Sequence, residues 1–192
     1  MGLLNDGRHE THPACPDDAR SEVRIYDRTT GKSYFQKRRQ RFDEFGQARE
    51  LTFSCFRGFQ FLSRDRTRNW FIDALSAARS NYPLDLWAYV IMPEHVHVLV
   101  YPRKPGMKLG PIAGRIKEEV ARPAIRYLTE HAPEWLSRVT VPEGNRIRHR
   151  FWQPGGGFDR NAVEIETIHH MINYIHANPV RRGLVQQPED WH

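Results

Sequence analysis

Cysteine is almost missing from this 192-residue chain, which carries only Cys15 and Cys55. Neither a disulfide framework nor a thiolate metal cluster can be built from them, so any metal must rest on histidine, carboxylate or amide ligands. Long hydrophobic runs are missing too. No apolar stretch approaches the ~20 residues of a membrane-crossing helix, which excludes that class and leads us to expect a soluble chain. The first residues, Met1 to Arg20, hold Asp6, Glu10, Asp17 and Asp18 and no apolar stretch. That is unlike a secretory signal, and a cytoplasmic location is expected. Acidic charge is in deficit: 29 Lys and Arg stand against 23 Asp and Glu, a net +6. Such an excess suits a polyanionic partner, because neutralised phosphates release their condensed counterions. Nucleic acid is the leading class, and the length suffices for one ordinary core.

From Met1 to Glu50 there is little apolar periodicity, and Lys37-Arg38-Arg39-Gln40-Arg41 is a compact basic run. We expect residues 1–50 to form a basic, flexible or loosely docked extension and 51–192 to form the folded domain. Leu51 to Phe56 alternates as a half-buried strand does. Asp65 to Ser80 has helical spacing, with Ser63 or Asp65 available to cap it. Leu84 to Met92 is rich in strand formers, and after the Pro93-Glu94 turn His95 to Tyr101 makes an antiparallel partner. Leu109 to His131 reads as one helix or as two broken at Pro123. A last strand is expected within Arg138 to Phe151, and a helix from Ala162 to Asn178 that Asn178-Pro179 stops. This order predicts an α+β fold, a small antiparallel sheet with helices on one face and the other face left for a site.

Strand side chains alternate between faces, so His95 and His97 project together while Val96 and Val98 enter the opposite side. Two imidazoles so placed can ligate one ion. On the terminal helix Ile165, Ile168, Met171, Ile172 and Ile175 form the apolar arc, and His170, Tyr174 and Asn178 stack on one stripe at its edge. A tyrosine there is ordinarily a core residue with its hydroxyl at the rim. Its neighbours give it a second reading, since an amide one turn onward can complete a coordination shell begun by two histidines.

Three blocks carry a family resemblance: Met92-Pro93-Glu94-His95-Val96-His97-Val98-Leu99, the run Phe151 to Arg160 (Phe-Trp-Gln-Pro-Gly-Gly-Gly-Phe-Asp-Arg), and Tyr174-Ile175-His176-Ala177-Asn178-Pro179-Val180-Arg181-Arg182-Gly183-Leu184-Val185. In order and separation they resemble the REP-associated tyrosine transposases, within the single-tyrosine transposases that carry a His-hydrophobe-His motif. The likeness spans roughly Leu51 to Trp191, and residues 1–50 have no counterpart in it. It implies a ferredoxin-like antiparallel sheet with helices on one face and a C-terminal catalytic helix. It further implies Tyr174 as nucleophile, His95 and His97 as metal ligands, and Asn178 as the third ligand, with His170 the alternative. The implied partner is single-stranded DNA beside imperfect hairpins in a nucleoid-associated setting, without membrane, acted on by a monomer or a homodimer.

A phenol ionises near ~10 and is a poor nucleophile until its target is made more electrophilic. A divalent ion, Mg²⁺ or Mn²⁺, fits that need, and two imidazoles lean towards Mn²⁺ in vitro. Trp152 and Arg160 suit a loop that stacks an unpaired base and pairs a phosphate, and Arg181 and Arg182 suit backbone phosphates or the negative helix end. Two other readings stay open: a replication-initiator-type nuclease with the same residue types, and a sheet-based nucleic-acid-binding module without catalysis.

Overall fold

The computed structural model describes residues 22–26, 33–37, 45–155 and 159–191. In chain order its elements are β1 (Glu22–Tyr26), β2 (Ser33–Lys37), β3 (Ala48–Ser54), α1 (Asp65–Asn81), β4 (Leu84–Ile91), β5 (His95–Pro102), α2 (Leu109–His131), α3 (Pro133–Val139), β6 (Thr140–Glu143), β7 (Arg146–His149), β8 (Asp159–Ala162) and α4 (Ile165–Arg181). β1 and β2 pair as an antiparallel hairpin. The rest of the expected extension up to residue 44, including Arg38 to Arg41 of the basic run, lies outside the described residues.

Four strands form the main sheet in the order β4-β5-β3-β8, and every neighbouring pair is antiparallel. With α1 and α2 as crossovers this is the expected ferredoxin-like α+β arrangement. Period two sorts the side chains. Leu51 and Phe53 of β3 and Val96, Val98 and Val100 of β5 are buried beneath α1 and α2, against Phe71, Leu75, Ile112 and Ile116. Opposite them, Ala48, Leu99, Val90 and Ala162 are buried against Met171 and Ile175 of α4. Strand β4 contributes to both layers because its register slips between Leu86 and Ala88. An extra residue at that bulge moves Ala88 and Val90 onto the α4 side while Leu84 and Leu86 stay on the other. Helices therefore cover both faces: α1 and α2 cover one, and α4 lies on the face that carries the histidines.

Several boundaries differ from the sequence expectation. No side chain caps α1; Arg64 holds the cap position, and Asp65 in the first turn pairs with Arg68. Helix α2 runs unbroken through Pro123, held by a buried stripe from Leu109 to Ala124. Such packing outweighs the one backbone hydrogen bond that proline removes. Likewise α4 does not stop before Pro179 but continues to Arg181, with Pro179 fully buried. The stop comes at Gly183, whose φ of 66° is the left-handed conformation that ends helices and that glycine adopts without penalty. The segment from Arg138 to Phe151 does not join the main sheet. Its strands β6 and β7 pair only with each other, and Glu143 binds Arg148 and Arg150 across the hairpin. The fourth strand is β8, made by Asp159 to Ala162, so α4 starts at Ile165 rather than Ala162. Among the described residues no helix is long and apolar enough to cross a membrane.

Ile175 is wholly buried where α4 meets the sheet. Ile175→Ala is expected to lower unfolding free energy by about 2–5 kcal/mol in urea titrations, the range for deleting a buried isoleucine side chain. A loss below about 1 kcal/mol would mean that α4 is not packed this way.

Candidate functional site

The site grows from the antiparallel pairing of β3 with β5. Thr52 lies opposite His97 and Ser54 opposite His95. Since paired residues share a face, the polar side chains of β3 line up beside the imidazoles. Glu50 is buried, and its Oε1 lies 2.8 Å from His97 Nδ1, with Thr52 Oγ1 at 3.2 Å from the same nitrogen. A proton on Nδ1, donated to Glu50, leaves Nε2 with its lone pair. His95 has a similar support, with Nδ1 3.1 Å from Glu94 Oε1. The two rings stand nearly perpendicular, their centroids 5.0 Å apart. Burial and the neighbouring His97 hold His95 below the usual histidine pKa, which favours the neutral imidazole that can act as a ligand.

Helix α4 brings the remaining groups. The Tyr174 ring meets that of His97 edge-on, with centroids 5.9 Å apart, and Tyr174 is 40% exposed. Its phenol is thus held against the histidine face yet open to a substrate. Two turns onward Arg182 Nη1 donates to Glu94 Oε1 at 2.8 Å. Tyr174 on His97 and Arg182 on Glu94 make α4 antiparallel to β5, and Asn178 sits midway along the stripe between these two anchors. Asn178 is buried and its Nδ2 donates to the Tyr174 carbonyl at 2.9 Å, which leaves Oδ1 as the atom of that amide able to accept or to ligate. His170 lies one turn the other way, exposed at a cleft of about 420 Å³. Arg160, Tyr174 and Arg181 border the same cleft. Arg160 is opposite Glu50 in the sheet, and the Arg181 guanidinium lies 4.8 Å from the centre of the Tyr174 ring. Two cations therefore border the cleft that the phenol lines.

Glu94 was missed by the sequence reading although it sits inside the histidine block. Burial pushes its carboxyl upward, but the hydrogen bond from Arg182 and the neighbouring charges of His95 and Arg182 outweigh that and hold it below the ordinary range. Glu50 and Thr52 were missed as well. Their signal was the alternation of β3, extended by one step towards the N-terminus: Glu50 and Thr52 share the parity of the polar face. Arg182 was expected at DNA phosphates, and the structure gives it a protein partner, tying the end of α4 to the turn before β5.

Trp152 requires a correction. It was expected to stack on DNA, but it is buried against Phe53, Phe71 and Phe151, and its Nε1 donates to the Lys117 carbonyl at 2.9 Å. Its backbone bridges to Cys55, which closes the sheet beyond β3. An indole so enclosed is a core residue. Cys55 is equally enclosed, and burial pushes its thiol up to about 12, which makes it inert. Residues 156–158 of the glycine loop lie outside the described residues.

No family model matches the sequence. A Haemophilus influenzae protein described as a REP-associated tyrosine transposase is 23% identical over 140 residues, covering 69% of this chain and 74% of its own length. Among solved structures, a REP-associated tyrosine transposase bound to a REP hairpin aligns with a TM-score of 0.62 at 20% identity, over 81% of this chain and 80% of that one. A protein of Deinococcus radiodurans described as a transposase aligns with a TM-score of 0.42 at 21% identity, over 73% and 95% of the two chains. In sequence and in fold, the chain resembles the REP-associated tyrosine transposases.

Proposed function

We propose that the chain is a metal-dependent tyrosine transesterase of the transposase type that cleaves and rejoins single-stranded DNA beside hairpin-forming repeats. The observation that carries this reading is the approach of Tyr174 to His97, an exposed phenol held at the edge of a supported imidazole pair. The hairpin substrate is extended to this chain from the solved relative, which is bound to a REP hairpin. The contact of Tyr174 with His97 of the same chain supports a tyrosine that acts on its own histidine pair.

The residues suit a divalent ion, Mg²⁺ or Mn²⁺. His97 presents Nε2 because Glu50 engages Nδ1, and Glu94 has a second carboxylate oxygen, Oε2, that is buried without a hydrogen-bond partner among the described residues. Glu94 lies on the Nδ1 side of His95, so it holds that ring and leaves the Nε2 side to a cation. His95, His97 and the Asn178 Oδ1 would hold it. Among the described residues no group of three His, Cys, Asp or Glu comes together to hold a metal, at this face or elsewhere, so the set rests on two imidazoles and one amide oxygen. When bound, such an ion stabilises the charge that develops on the phosphate and the departing oxygen.

The protein residues then divide the work. Arg160 and Arg181 attract the scissile phosphate and hold it in the cleft beside Tyr174. The Tyr174 oxygen gives its proton to solvent and attacks phosphorus, the P–O3′ bond breaks, the upstream fragment takes up a proton and leaves as a 3′-hydroxyl, and the 5′-phosphate of the downstream fragment stays on the phenol. The reverse step rejoins DNA, since one phosphodiester is exchanged for another. Glu50 acts through His97 by fixing its tautomer, and Arg182 acts through Glu94 by fixing the end of α4 that carries Asn178.

Incubated with Mn²⁺ and hairpin-bearing single-stranded DNA, the wild-type protein should yield a denaturation-resistant protein–DNA adduct that Tyr174→Phe lacks; an adduct persisting in Tyr174→Phe refutes the assignment. Glu50→Ala is expected to weaken Mn²⁺ binding roughly 10–100-fold by calorimetry, the usual effect of deleting a carboxylate behind a metal-binding histidine. Unchanged affinity would mean that His97 does not use Nε2 as a ligand.

A further inference from the structure

A cavity of about 640 Å³ opens on the α1–α2 side of the sheet, with no part in the site described above. Phe61, Trp70, Tyr127, Trp135 and Phe151 supply its aromatic walls. Arg64 and Arg66 stand at the start of α1 on its lining, with Ser63, Gln60 and Thr67 as hydrogen-bonding groups. Trp135 keeps 36% of its surface exposed, and the Arg66 guanidinium lies 3.5 Å from the centre of the Tyr127 ring. Stacked Phe61 and Phe151, with centroids 5.3 Å apart, form the floor shared with the core.

The position of this cavity links it to the histidines. Leu62 donates its backbone N–H to the Pro93 carbonyl at 3.0 Å, and Cys55 donates to that of Glu94 at 2.7 Å. The segment that walls the cavity is therefore pinned to the turn that launches His95. The N-terminus of α1 and the C-terminal part of α2 both lie at the end of the sheet where His95 begins, so the cavity and the phenol flank one edge of the domain.

We propose that this cavity takes one unstacked nucleobase of the single-stranded DNA substrate, with Arg64 at an adjacent phosphate. The proposal rests on the reading of the chain as a single-strand DNA enzyme and adds a second anchor to it. Aromatic walls, a rim with two arginines against the single carboxylate of Glu134, and side chains able to meet a base edge match a nucleotide. A strand that turns around the end of the sheet can place a base here while a phosphate several nucleotides along reaches the cleft beside Tyr174. Duplex DNA cannot enter, because its bases are stacked and paired.

The test compares a mixed-sequence single strand with the same sequence as duplex, by fluorescence anisotropy, in wild type and in Trp135→Ala and Arg64→Ala. Arg64 is exposed, so its variant stays informative if loss of Trp135 disturbs the aromatic cluster. The wild type should prefer the single strand, Trp135→Ala should lose roughly tenfold in affinity for it, as stacking on one aromatic ring is worth about that much, and Arg64→Ala should weaken it by loss of the phosphate contact, both with duplex binding unchanged. Equal losses on both probes, no loss on either, or no single-strand preference in the wild type would overturn the proposal. Tyr174→Phe should keep the single-strand preference while losing the adduct, so failure of the cavity and failure of the nucleophile assignment give different results.

Discussion

The packing of α4 on the histidine face of the sheet is the constraint from which the site follows. Met171 and Ile175 are buried against Leu99, Val90 and Ala48, and with that contact made the helix has one rotational setting about its axis. The stripe one step round from the apolar arc must then face β5, and that stripe holds Tyr174 and Asn178. The phenol meets His97 as a consequence of core packing. At the far end, the Arg182–Glu94 pair prevents the last turn from lifting, and Glu94 in turn supports His95. An exposed ion pair alone contributes little to stability. Its value here is positional, because it joins the helix terminus to the motif that the helix serves.

The two sheet faces divide burial from chemistry. Beneath α1 and α2 every described β5 side chain is apolar, while the α4 side mixes a small apolar patch with Glu50, Thr52, His95 and His97. A buried carboxylate such as Glu50 is costly unless it is paired, and His97 pairs it. Holding both histidines by Nδ1 leaves both Nε2 atoms for an ion. Support from the strand and access from the helix therefore meet at the same rings.

Much of this was legible in the sequence because it depends on periodicity. Alternation in β5 assigned the histidines and valines to opposite faces, and the 3.6-residue repeat of α4 put Tyr174 at the edge of the apolar arc. What escaped did so for physical reasons. β8 reads Asp-Arg-Asn-Ala, and of Arg160, Asn161 and Ala162 only Ala162 is buried, so it is held by backbone pairing that leaves no hydrophobic signature. Conversely, β7 alternates in appearance, but it is fully exposed and its pattern comes from arginines that face Glu143. Pro179 read as a stop, and Pro123 left one helix or two open, because local rules omit the tertiary packing that carries both helices through. Trp152 read as a DNA contact because glycines follow it, whereas its indole closes the core. Glu50 fell just before the expected domain start, although its parity with Thr52 marked the histidine face.

The claim at the centre is spatial: an ion on the two imidazoles lies next to the phenol of Tyr174. Nuclear magnetic resonance of protein with ring-labelled tyrosine, titrated with Mn²⁺, reads that proximity directly, since the paramagnetic ion broadens nearby signals. The chain has seven tyrosines, and Tyr174→Phe identifies the signal in question. The Tyr174 ring is expected to broaden first and most, and to stay sharp when His95 and His97 are both replaced by alanine. Broadening of other tyrosines while Tyr174 remains sharp, or broadening that survives loss of both histidines, would contradict the account.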